Sequence, residues 1–363
     1  MEGYELEKSN ILYLFSSNQL PRYERDALDT VCLPAGSIMQ FRYGSDNIDP
    51  KIKNLLSQGK QEILNGQRVI VVFVNAKGKE DKNAIWQPEF FPLRSGKLVQ
   101  CRQADDRTLF FFELTDEFIN YEKYSKIELD KFIRNLSNKP LKSSSPGTFL
   151  SGIFAGIDIP LPLEALTRSS SAVSVEINTL MDLYPERMFY SFYIEKIGKN
   201  NNHEKVQMKR FSNRIDPLNG FELSSRGNYS LIFHYYFNPK SKMEFPEVSI
   251  NIRDPRSVVT SDVGDILLGN RSDEREIKLY PIGVSSRSYD LRLEIAARDL
   301  NGKDLGRLSL PIFVKRNLSF LVWLVVIGVG LTIGSGFSSL YTHIGGSILS
   351  TIGIFFLAHT YKQ

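Results

Sequence analysis

The sequence predicts an α+β N-terminal domain (1–138), a linker (139–152), a mainly-β, immunoglobulin-like sandwich (153–315) and a C-terminal two-helix transmembrane hairpin (316–363). Three observations predict it. Strand-like runs flank a well-signalled helix start before residue 75. Short alternating segments recur between 170 and 314. From 317 to 361 there is no Lys, Arg, Asp or Glu.

The first domain opens on "ILYLFS" (11–16), a short apolar strand, and "SIMQFRY" (37–43), which alternates. Asp49 then offers a cap and Pro50 the first helical position. Ile52, Leu55 and Leu56 lie on one helical face. "RVIVVFV" (68–74) has no polar alternation, which suits a central strand buried on both faces. Strand, helix, strand in this order predicts a right-handed crossover with a parallel pair. The stretch 89–114 breaks into strands at Ser95-Gly96 and Asp105-Asp106, and "IELDKFIRNL" (127–136) reads as a closing helix.

The segment 137–152, rich in Ser, Pro and Gly without apolar period, reads as a linker. Beyond it "GNYSLIFHYYF" places Tyr229, Leu231, Phe233, Tyr235 and Phe237 on one face. "SYDLRLEIAARD" does the same with Leu291, Leu293, Ile295 and Ala297. Asn301-Gly302 is a hairpin signal, because a type I′ turn needs φ > 0 at both positions. Many short strands at regular spacing predict a sandwich. The echo between "GNYSL" and "RSYDL" leaves open one sandwich or two immunoglobulin-like units in tandem.

In the tail, a single helix over 317–361 would be about 68 Å long, more than twice a hydrocarbon core of about 30 Å. Two antiparallel spans with a turn within 335–346 fit better. A re-entrant second segment and a pair of buried core helices are the alternatives. Lys315 and Arg316 precede the first span and Lys362 follows the second, while the turn has no Lys or Arg. The positive-inside rule then puts both termini and the soluble domains in the cytosol, on the inner membrane. Gly330, Gly334, Gly346 and Gly353 offer close helix approach, either between protomers or within one chain.

The chain has 363 residues with 45 basic and 41 acidic side chains, a net charge of +4. That balance gives little ground for a nucleic-acid role. "QMKRFSNR" sets Lys209, Arg210 and Arg214 near Phe211. The first reading is a strand edge protected by charge; the second is nucleic-acid contact. Two cysteines, Cys32 and Cys101, fit a reducing compartment rather than a disulfide scaffold. The charged N-terminus carries no signal peptide. His203, His234, His343 and His359 are too far apart in sequence for metal-ligand spacing, so no metal or cofactor is expected. Asp105-Asp106 and Asp273-Glu274 read as solvated loop charges, and Cys32 as a small buried hydrophobe. No catalytic constellation appears, and the chain is read as a non-enzyme.

The layout, with "NLSFLVWLVVIGVGLTIGSG" and "IGGSILSTIGIFFLAH" after a cytosolic region, resembles the membrane effectors of bacterial antiphage defence. That resemblance implies an effector that oligomerises and disrupts the inner membrane. The expected partners are a lipid bilayer, further copies of the chain through the spans, and a protein on the cytosolic domains. The competing classes are a tethered scaffold or adaptor and a membrane-bound enzyme with an unrecognised site.

Overall fold

The computed structural model describes residues 11–80, 86–119, 152–155, 166–168, 178–198, 202–211, 215–225, 227–240, 251–253, 259–262, 272–281, 289–298, 302, 304–315, 318–336 and 340–362. The expected closing helix at 127–136 and all of the expected linker except Gly152 lie outside them.

The first sheet contains β1 (Leu12–Ser17), β2 (Ile38–Gly44), β3 (Arg68–Glu80), β4 (Trp86–Ala104), β5 (Arg107–Ile119), β6 (Gly152–Ala155) and β7 (Leu166–Arg168). Its order is β2-β5-β4-β3-β1-β6, with β7 on β5. Val69 to Val74 of β3 are all fully buried, as a run without polar alternation requires. The parallel partner of β3 is β1, Leu12 opposite Val69, and not β2, which pairs antiparallel with β5. The crossover therefore starts one strand earlier than the strand–helix–strand pattern suggested. It carries α1 (Pro21–Cys32), β2 and α2 (Pro50–Ser57) between its two strands. Helix α2 begins as its residues dictate: the Asp49 side chain accepts from the Lys51 N–H at 2.8 Å, and Pro50 follows the cap. β4 runs through Ser95-Gly96 without a break, while the turn at Asp105-Asp106 has Asp105 at φ +52°.

After α3 (Asn178–Leu183) come two five-stranded sheets. One has the order β14 (Val259–Ser261), β15 (Ser272–Pro281), β12 (Asn228–Tyr236), β8 (Phe189–Ile197), β9 (His203–Lys205). The other runs β10 (Met208–Arg210), β11 (Asn219–Ser224), β17 (Asp304–Lys315), β16 (Tyr289–Arg298), β13 (Asn251–Arg253). Phe192 of the first meets Phe221 of the second edge-on at 6.2 Å, and both sheets feed one core. The expected immunoglobulin-like topology is not what forms. The sheets are open, and β11 pairs β17 in parallel, Phe221 opposite Ile312. An immunoglobulin sandwich is built from antiparallel sheets.

The expected division into an α+β domain and a separate sandwich is also replaced by a mostly β chain with a shared core. Ala27, Leu28, Val31 and Cys32 of α1, with Phe73 and Leu93, belong to the same buried cluster as Phe189, Phe233 and Ile312. A second cluster, holding Leu12, Val69, Phe110 and Phe112, is closed by Ile52 of α2. β3 serves both clusters across a register shift between Val71 and Val72.

The chain ends in α4 (Leu318–Gly336) and α5 (Leu340–Lys362). Among the described residues no helix is long and apolar enough to cross a membrane. The transmembrane hairpin, the two-pass membrane assignment and the inner-membrane location are corrected accordingly. A defence role, which rested on that layout, has no support from the described fold.

Candidate functional site

A cleft of about 490 Å³ lies at the seam between the first sheet and the two five-stranded sheets. Three pieces of chain build it. Helix α1, opened by Pro21, presents Glu24 and Arg25. The turn after α3 presents Tyr184 and Arg187, and the start of β17 presents Asp304 and Arg307. The Met188 N–H donates to the Leu305 carbonyl at 3.1 Å, tying the last two pieces, and within β17 Asp304 Oδ1 accepts the Gly306 N–H at 3.0 Å. Arg25, Arg187 and Arg307 make no ion pair within 4 Å among the described residues.

Asp26 and Asp29, one helical turn apart on α1, stand close to Arg25, and Asp29 also to Arg187. Burial pushes Asp29 up to about 7, with Arg187 and Arg25 opposing and Asp26 adding to the rise. Burial likewise pushes Asp26 up to about 6, opposed by Arg22 and Arg25. The buried Tyr190 hydroxyl has no hydrogen-bond partner among the described residues, and burial together with Asp29 raises its pKa. Cys32 is buried beside them, its thiol pushed up to about 12, too high for a nucleophilic thiolate. A large cleft at a seam, with convergent cations and shifted carboxyls, has the features of a binding site. Apart from Cys32, read as a small buried hydrophobe, sequence reasoning missed these residues. The available signal was "PRYERDALD": a proline at the first helical position and carboxylates three apart.

The helical pair forms a second candidate surface. A Cβ on Gly330 would lie 2.6 Å from Ser350 Oγ and 2.9 Å from the Gly346 carbonyl oxygen. One on Gly353 would lie 2.6 Å from Ile327 Cγ1. Gly330 and Gly353 thus set the approach of α4 to α5 within one chain, with the Gly346 backbone on the facing side. Gly334 lies on α4. Val322, Val325 and Val329 on α4, and Ile344, Ile348 and Ile352 on α5, remain exposed.

The basic residues divide. Lys209 pairs with Glu222 at 3.0 Å, and Lys315, at the end of β17, is 3.9 Å from the same carboxylate. Arg210 is exposed at the end of β10. Arg214 and Arg316 lie outside the described residues, as does the side chain of Lys362, which closes α5. His203 Nδ1 and His234 Nε2 lie 2.9 and 3.3 Å from the carboxylates of Glu195 and Glu274. No group of metal-ligating side chains occurs among the described residues.

No protein-family model matches the chain, and no curated protein matches it.

Proposed function

We propose that the protein is a self-associating adaptor, a binding protein whose C-terminal helical pair joins copies of the chain while the β-sheet body engages a partner. The observation that carries this reading is the exposed apolar stripe on each helix. Val322, Val325 and Val329 follow an i, i+3, i+7 spacing, and Ile344, Ile348 and Ile352 an i, i+4, i+8 spacing. A helix that is apolar all round is a helix meant to be covered, and contiguous exposed apolar surface marks an interaction site. The two stripes share one chemistry, β-branched aliphatic, so the pair is suited to a second copy of itself across a two-fold axis. β17 ends at Lys315 and α4 begins at Leu318, so assembly of the helices also places the β bodies.

Sedimentation of the full chain against a chain ending at Lys315 tests this. The full chain should be oligomeric and the shortened one monomeric, and Val325→Asp with Ile348→Asp should reproduce the monomer. A monomeric full chain overturns the proposal. So does a chain that floats with lipid vesicles while remaining monomeric.

A further inference from the structure

The chain crosses from one five-stranded sheet to the other at Val206 and Gln207, between edge strands β9 and β10. A groove of about 370 Å³ lies there. Lys196 of β8, Lys205 of β9 and Lys209 of β10 line it, with Glu204 and Glu222 as its acids. Lys315 joins from β17, through Glu222 at 3.9 Å. Lys196 and Lys209 thus share the groove with the two carboxylates, Lys315 approaches Glu222 from a fourth strand, and the Lys205 side chain turns to the Tyr193 face of its sheet. Glu222 is shared by Lys209 and Lys315. Lys205 Nζ sits 4.1 Å above the half-buried Tyr193 ring, and Lys196 has no ion pair among the described residues. Nearby, half-buried Phe211 packs on Phe313 with ring centroids 5.2 Å apart.

We propose that this groove binds the phosphodiester backbone of single-stranded nucleic acid. Lysines act as point charges without a fixed fork, which suits phosphates read irrespective of sequence. A cationic groove with aromatic rings at its margin is the arrangement that tracks one strand and offers faces to unpaired bases. The site is concave, so its walls are reached by a strand and not by a flat anionic surface. The lysines converge only through the fold: Lys196 lies outside "QMKRFSNR" on another strand, and Lys315 is far from it in sequence. The proposal does not depend on self-association of the helices.

Fluorescence anisotropy of a labelled oligothymidylate with the full chain, over a salt series, tests it. With about four phosphates neutralised, log K should fall against log salt with a slope of about −3, at roughly −0.7 per phosphate. Lys196→Glu with Lys205→Glu should weaken binding about tenfold or more at low salt, and so should Lys209→Gln, which leaves Lys205 on its ring. Lys53→Glu on α2 should leave affinity unchanged. Three results overturn the proposal: unchanged affinity in folded groove variants, equal binding of a duplex, or binding to phosphatidylglycerol vesicles with none to the oligonucleotide.

Discussion

Arg94 is among the most buried side chains of the described fold, at 1% exposure. Its Nε donates to the Thr115 carbonyl at 2.7 Å and its Nη1 to the Thr30 and Leu33 carbonyls at 2.9 and 2.6 Å. The guanidinium lies 4.5 Å over the Phe118 ring. Burial lowers its pKa to about 9, with Asp116 opposing, so it stays charged at neutral pH. It joins the end of α1 to β4 and β5. Arg94→Met should cost about 3–5 kcal/mol in urea unfolding, because three carbonyls, buried or partly buried, lose their charged donor. Arg94→Lys should not restore it, since an ammonium cannot span the same acceptors. At the seam, the raised carboxyls of Asp26 and Asp29 give an opposite trend to ordinary acid denaturation. Both favour the folded state when protonated. Their contribution is full below about pH 4, the unfolded value. It is lost as pH rises through about 6 and 7. Thermal melts should therefore show Asp29→Asn gaining on the parent, with a Tm gap wider at pH 8 than at pH 4.

Among elements, the helical pair gives the sharpest contrast. Gly330 has no room for a Cβ against Ser350 and Gly346, whereas Gly328 and Gly345 have open space. Gly330→Ala should part α4 from α5, exposing the pair to limited proteolysis and reducing assembly in sedimentation. Gly328→Ala should leave both unchanged or tighten the helix by up to about 1 kcal/mol. Equal behaviour of the two variants would show that the close approach does not matter. For α2, Asp49→Ala removes the side-chain acceptor for the Lys51 N–H and should cost about 1 kcal/mol. That loss is readable as a shift in the urea midpoint.

For the whole molecule, the shared core makes a statement about cooperativity. α1 is buried among residues of the β8 and β12 sheet, and Asn219 Nδ2 donates to the Gly36 carbonyl at 2.7 Å across the same seam. Arg102 meets Asp216 at 2.8 Å nearby. A chain cut at the expected boundary, 1–152 or 153–363, exposes Leu28, Val31 and Phe73 or their partners. Each half should melt far below the intact chain or aggregate. The intact chain should show one transition by tryptophan fluorescence and circular dichroism. Two well-separated transitions would restore the independent domains that the sequence suggested.

Local chemistry carried the start of α2, the buried run of β3, the inward face of β12 and the turns at Asp105 and Gly302, where φ is positive. Caps, side-chain period and backbone sign are written within a few residues, so they can be read without the fold. The partners of strands are not. An alternating pattern names the buried face of a strand but not its neighbour, which is why β1 beside β3 and β11 beside β17 came from packing alone. The same limit hid both candidate sites. Arg25, Arg187 and Arg307 meet only at the seam, and Lys196, Lys205, Lys209 and Lys315 only where two sheet edges converge. The apolar run 317–361 states that its helices need covering, because its side chains gain nothing from water. What covers them is decided by geometry at a distance: Gly330 and Gly353 against the neighbouring helix, and the outer valines and isoleucines left for a surface beyond it.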